Sequence, residues 1–258
     1  MALDFGEHPD RVFKDAPLRS VLAQIRFDPI PSLLTEAGTT GFHSVIRSRY
    51  PEGPKKIEEL ALEMAPRHMS VRQTAPVWSF STAAADYKAS LSHDFIALET
   101  PSYTNFGDFL GQLGFLLAAI DRTLMPSTSR RIGLRKINAV PLPDPSSPAS
   151  LTARIREDLL GPIARDDWPA LVKGASGQLI FEEDLKQLAV RYAIEGSVED
   201  KAFFILDMDY HTEVPYAVKD SADIRDLVRH LSNGITSFFE WALKEPYKET
   251  LRPTPRGE

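Results

Sequence analysis

Two stretches of this chain run from apolar, β-rich sequence straight into closely spaced prolines, in the same register. Val21-Leu22-Ala23-Gln24-Ile25-Arg26-Phe27-Asp28 leads to Pro29-Ile30-Pro31. Much later, Arg130-Arg131-Ile132-Gly133-Leu134-Arg135-Lys136-Ile137-Asn138-Ala139-Val140 leads to Pro141-Leu142-Pro143. Ile25, Pro29, Ile30 and Pro31 recur as Ile137, Pro141, Leu142 and Pro143, a constant 112 positions on. Proline has no N–H to give to a ladder, so each stretch is expected to be a strand that stops at its prolines. A chain that does this twice is constrained to two similar units with a seam near residue 130.

The remaining pattern repeats that order. Residues 1–16 carry no sustained period and are expected to be an irregular arm. The first unit, 17–128, should hold a strand over Leu18–Phe27 and a helix within Ser32–Tyr50, where Phe42, Ile46 and Tyr50 recur at helical spacing. Strands are expected over Ile57–Met64, where Glu58-Glu59-Leu60-Ala61-Leu62-Glu63 fits a helix equally well, Val77–Ser81 and Tyr87–Leu98, then a long helix over Tyr103–Leu124. The second unit, 129–245, should open with the strand Arg131–Val140. A proline-stiffened link to Pro148 follows, then a helix from an N-cap at Ser150 to Ile163. Strands over Gly177–Glu182, Gln187–Glu195 and Ala202–Tyr210 come next, with Gly196–Asp200 as the last hairpin turn, and a helix over Ser221–Lys244 closes the unit. Residues 246–258 should be an extended or disordered tail. The helical stripes also correspond: Phe106, Phe109, Leu110, Leu113, Leu117, Ile120 and Leu124 match Ile224, Leu227, Val228, Leu231, Ile235, Phe238 and Ala242, 118 positions on.

The fold class that follows is α+β, a tandem duplication of a strand-helix-three-strand-helix unit. One such unit leaves a sheet edge exposed over a small core. Two copies pairing edge to edge would form one long curved antiparallel sheet, saddle-like, with helices on one face.

Composition narrows the chemistry. With no cysteine among 258 residues, disulfides, thiolate nucleophiles and sulfur-ligated zinc are excluded. A net charge of −6 disfavours nucleic-acid binding by the surface at large, because phosphate backbones are held by lysine and arginine. The start lacks the basic and apolar regions of a signal peptide, and no run approaches the length of a membrane span. A cytoplasmic protein that does not engage membranes is expected. No phosphate loop, dinucleotide fingerprint, nucleophile elbow or His-Glu-x-x-His occurs, and no cofactor is implied.

Three sets of residues are candidates for chemistry. Asp207, Asp209 and His211 alternate along one strand and would share a face, where they can act as an acid/base pair or ligate a divalent metal. Arg191 on the preceding strand can neutralise one carboxylate. Arg131, Arg135 and Asn138, joined by Arg26 of the matching strand, form a small basic centre suited to a carboxylate or phosphate, with Gly133 permitting close approach. The opposing reading pairs these arginines with acidic residues such as Glu182-Glu183-Asp184. Trp241 lies beside the stripe of the last helix and would be an exposed interface anchor.

The run Pro17-Leu18 to Gln24-Ile25-Arg26-Phe27, the segment Phe95-Ile96-Ala97-Leu98-Glu99-Thr100 and above all Arg131-Ile132-Gly133-Leu134-Arg135-Lys136-Ile137-Asn138 resemble an uncharacterised, sporadically distributed bacterial family of similar length. Its members tend to carry an aromatic where this chain has Lys136. The resemblance implies an accessory role in a defence or toxin-neutralising gene system. The expected function is that of a non-enzymatic protein that binds a protein partner or a second copy of itself. The alternatives are a metal-dependent enzyme using Asp207, Asp209 and His211, and nucleic-acid binding on the open sheet face.

Overall fold

The computed structural model describes residues 3, 5–6, 11–57, 60–65, 68–73, 75–143, 148–165, 174–196, 202–219 and 221–255, with the backbone alone for 60–65, 68–73 and 148. The fold is α+β. In chain order the elements are β1 (Arg11–Phe13), β2 (Leu18–Phe27), α1 (Thr40–Ile46), β3 (Glu52–Ile57), β4 (Leu60–Ala65), β5 (His68–Gln73), β6 (Val77–Ser81), β7 (Lys88–Ser92), β8 (Phe95–Thr100) and α2 (Phe106–Thr123). There follow β9 (Ser129–Leu142), α3 (Pro148–Thr152), α4 (Glu157–Leu160), β10 (Ser176–Glu183), β11 (Lys186–Gly196), β12 (Ala202–Thr212), α5 (Ser221–Ala242), α6 (Glu245–Thr250) and β13 (Pro253–Pro255). Nine strands form one antiparallel sheet in the order β10-β11-β12-β9-β2-β8-β7-β6-β3, while β4 pairs with β5 and β1 with β13. No helix among the described residues is long and apolar enough to cross a membrane.

By backbone contacts the chain divides into two compact units, one of Met1–Ser20, Arg135–His211 and Arg229–Glu258, the other of Val21–Leu134 and Thr212–Val228. In the second of these, alternation along β2 buries Val21, Ala23 and Ile25. Their cross-strand partners Thr100, Leu98 and Ile96 on β8 are buried on the same face. Phe80 of β6 meets Phe42 of α1 edge-on at 5.5 Å, and the Trp78 indole donates to the Leu33 carbonyl at 2.8 Å. Helix α2 starts at Asn105, whose Oδ1 accepts from the Asp108 amide at 2.8 Å. Three glycines (Gly107, Gly111, Gly114) each cost this helix about 1 kcal/mol. It persists because seven residues from Phe109 to Ile120 are buried, at about 1.5–3 kcal/mol for each large apolar side chain.

In the other unit, β12 alternates without a break. Phe204, Leu206, Met208 and Tyr210 are fully buried on one face, and Phe203, Ile205, Asp207, Asp209 and His211 are half-buried on the other. Tyr210 lies under α5 at Gly234, where a Cβ would stand 2.7 Å from the ring, so the mid-helix glycine is required by close approach.

Several expectations are corrected. The helix expected within Ser32–Tyr50 is present as α1, but the residues before it form two 3₁₀ turns at Pro31–Leu34 and Glu36–Thr39. The turns fold back so tightly that a Cβ on Gly38 would lie 1.9 Å from the Ser32 carbonyl oxygen. The strand expected over Ile57–Met64 is two, β3 and β4. The helix expected from Ser150 to Ile163 is broken into α3, α4 and a 3₁₀ turn, and Ser150 lies inside α3. The break falls where Ile155 bridges to Leu243 and the Arg156 amide donates to the Ala242 carbonyl at 2.9 Å. The turn expected at Gly196–Asp200 lies, beyond Gly196, outside the described residues.

The described parts of the arm and the tail, from Arg11 and up to Pro255, are more ordered than expected. The arm contributes β1, and the tail contributes α6 and β13, which pairs with β1. Pro246 starts α6 instead of ending order, since its fixed φ suits a first helical turn. Glu240, with 1% of its side chain exposed, holds these ends to α5. Its Oε1 and Oε2 accept from Arg11 Nε and Nη2 at 3.1 and 3.0 Å, and Lys248 Nζ stands 3.3 Å from Oε2. Glu245 accepts from Arg11 Nη1 at 2.7 Å and stands 2.8 Å from Lys248, which with Arg11 holds its carboxyl down at about 2.

Candidate functional site

The three sets of residues singled out in the sequence have different fates. Asp207, Asp209 and His211 do share the half-buried face of β12. Asp207 is gripped by Arg135, with Nε to Oδ1 at 2.6 Å and Nη2 to Oδ2 at 2.7 Å, and Arg191 stands 3.7 Å away. This two-pronged arrangement satisfies both carboxylate oxygens. Asp209 lies 4.0 Å from His211 Nδ1. Among the described residues no three His, Asp or Glu side chains come together as a metal set.

The expected basic centre is dispersed. Arg26 pairs with Asp94 at 2.5 Å, and Arg130 grips Asp28 at 2.7 and 3.0 Å, holding that carboxyl below its usual range. Arg135 belongs to Asp207. Gly133 does permit a close approach, but by Arg131 itself: a Cβ there would lie 2.6 Å from the Arg131 guanidinium. Strand alternation separates Asn138 from Arg135 and places it with Lys136, and both are buried. Lys136 Nζ donates to Ser232 Oγ of α5 at 2.8 Å, so this buried lysine ties β9 to the helix. Trp241 is half-buried instead of exposed, its ring 5.3 Å from Phe238 and 6.4 Å from Phe5, with the Arg156 guanidinium 5.7 Å from its centre.

A feature that sequence reading missed is the tip of the β10–β11 hairpin. Glu183 and Lys186 are cross-strand partners, so Asp184 and Leu185 make a two-residue turn. Both have positive φ, 43° and 66°, the combination that favours Asn-Gly or Asp-Gly. A leucine in the left-handed region is sterically costly. Here it is also 82% exposed, so burial does not offset that cost. On β10, the terminal strand of the sheet order, Ile180 is 55% exposed. The residue before the turn is held firmly. Burial works against the charge on Glu183, yet the Tyr210 hydroxyl, donating at 2.5 Å, and the Leu3 amide, at 3.1 Å, keep the carboxyl below its usual range. The only sequence signal was negative: a leucine where a two-residue turn calls for glycine.

No family model matches the chain, and no curated protein matches it.

Proposed function

We propose that this is a non-enzymatic binding protein that engages a protein partner through the β10–β11 hairpin. The observation that carries the reading is Leu185, strained and exposed at the tip of a hairpin where the neighbouring Glu183 is pinned. Strained residues persist where the surroundings over-determine them, and such sites concentrate where molecules recognise one another. Leu185 and Ile180 supply apolar contact, and Glu182, exposed on the same face of β10 as Ile180, adds negative charge, so the partner fitted to this hairpin has an apolar notch with a basic edge. The pairing of Asp207 with Arg135 supports a binding role over catalysis at the β12 face. The accessory, defence-linked setting implied by the family resemblance belongs to the same proposal.

We also infer that the fold arose by duplication. The order β10-β11-β12-β9 from one end of the sheet is echoed by β6-β7-β8-β2 towards the other. Phe109, Leu110, Leu113, Leu117 and Ile120 of α2 are buried, as are their counterparts Leu227, Val228, Leu231, Ile235 and Phe238 of α5.

The test is co-purification from the native host with Leu185→Gly and Ile180→Ser variants, alongside light scattering of the isolated protein. The expected result is a partner, or a second copy, retained by the wild type and lost by both folded variants. Retention of the same partner by both variants, or turnover of a substrate by a chain that binds none, overturns the reading.

A further inference from the structure

A polar cleft of about 460 Å³ opens beside the first turns of α2, formed entirely by residues 49–112. That is within the range of small-molecule sites, about 300–1,000 Å³. Its charged lining is Arg49, Asp86 and Asp108. Among the described residues neither carboxylate has a cationic partner. Asp86 Oδ1 accepts from Thr82 Oγ1 at 2.5 Å, and Asp108 Oδ2 accepts from Asn105 Nδ2 at 2.6 Å and Thr104 Oγ1 at 3.4 Å. The second oxygen of each is left for another donor. Arg49 lines the cleft and lies over the Phe115 ring at 4.3 Å, a stacking contact that does not use its N–H groups.

An independent feature points to a ligand. Tyr87 lines the cleft and is only 6% exposed, and its buried hydroxyl makes no well-formed hydrogen bond among the described residues. A buried polar group without a partner costs about 1–3 kcal/mol, which a bound donor or acceptor would recover. Burial, then Asp108 and Asp86, push this phenol up against a weaker pull from Thr104, so it stays protonated. Gly107 and Gly111 line the cleft one helical turn apart, and at Gly111 an added Cβ meets nothing within 4 Å.

We propose that this cleft binds a small zwitterion of the free α-amino-acid class. Its ammonium would be held by the unused oxygens of Asp86 and Asp108 and the Tyr87 hydroxyl, its carboxylate by Arg49. A plain anion meets two carboxylates, Asp86 and Asp108. A plain cation leaves the Arg49 fork unused. The zwitterion answers all three charges. This site is independent of the hairpin.

The test is thermal shift and calorimetry on the full chain with the common free L-amino acids, one at a time, then with N-acetyl and methyl-ester forms of any that bind. At least one free amino acid is expected to bind and raise the midpoint, with both blocked forms at least about tenfold weaker. Tyr87→Phe should weaken binding about five- to tenfold. Gly111→Leu should abolish it while circular dichroism shows the fold retained. Absence of a shift with every free amino acid, equal binding of the blocked forms, or binding that survives Gly111→Leu overturns the proposal.

Discussion

The clasp around Glu240 and the cleft beside α2 are made of similar groups put to opposite use. In the clasp, Arg11 and Lys248 meet Glu240 and Glu245, and the charges close on one another. In the cleft, Arg49 faces Asp86 and Asp108 without an ion pair among them. A buried carboxylate must be paired, because desolvating an isolated charge costs several kcal/mol. Glu240 has been given that partner by the chain's own ends. Asp86 and Asp108 sit in a cleft open to water and do not need one. Closed charge clusters hold this protein together, and the open one is placed to hold something else.

The comparison breaks most sharply at Glu240. Glu240→Ala leaves Arg11 and Lys248, each with only 9% of its side chain exposed, short of a partner. A loss of about 3–5 kcal/mol in urea unfolding is expected. Gly234→Ala drives a methyl against the Tyr210 ring and should cost about 1–3 kcal/mol, with no effect on any charge cluster. Asp207→Ala removes the partner of Arg135, whose side chain is 43% exposed and can turn to water, so the loss should be about 1 kcal/mol.

A pH scan sharpens the same contrast. The Glu245 carboxyl is depressed to about 2 in the folded chain, first by its bond to Arg11 and then by Lys248. Its unfolded value is near 4.5. The stability it contributes is therefore complete above about pH 4.5 and disappears as pH falls through about 2. Glu245→Gln should flatten that part of the acid-unfolding profile. Because the side chain is 55% exposed, the change should be small.

The parts of the fold that could be read from the sequence were those with a repeating period. The stripe of α2, the alternation of β12 and the strand β2, which ends short of Pro29, each carry their signal within a few residues, whereas β9 runs on through Pro141 to Leu142. Asp207 and Arg191 were legible as a pair for the same reason, since they lie on neighbouring strands. The clasp was not, because Arg11 and Glu240 are 229 residues apart and neither segment has a pattern naming the other. The cleft combines Arg49 after α1, Asp86 in a turn and Asp108 on α2, three local contexts that look solvated when read singly. The hairpin tip was hidden by chemistry: Asp184-Leu185 lacks the glycine that announces such a turn.

The most direct measurement is urea unfolding of Asp86→Asn, a change that keeps the oxygen bonded to Thr82 and removes only the charge. If the cleft carboxylates are spare to the fold, stability should stay within about 0.5 kcal/mol of the wild type, or rise slightly as repulsion from Asp108 is relieved. A loss of more than about 1 kcal/mol would contradict the account, because it would show that Asp86 is paired as firmly as the clasp and is not held open for a ligand.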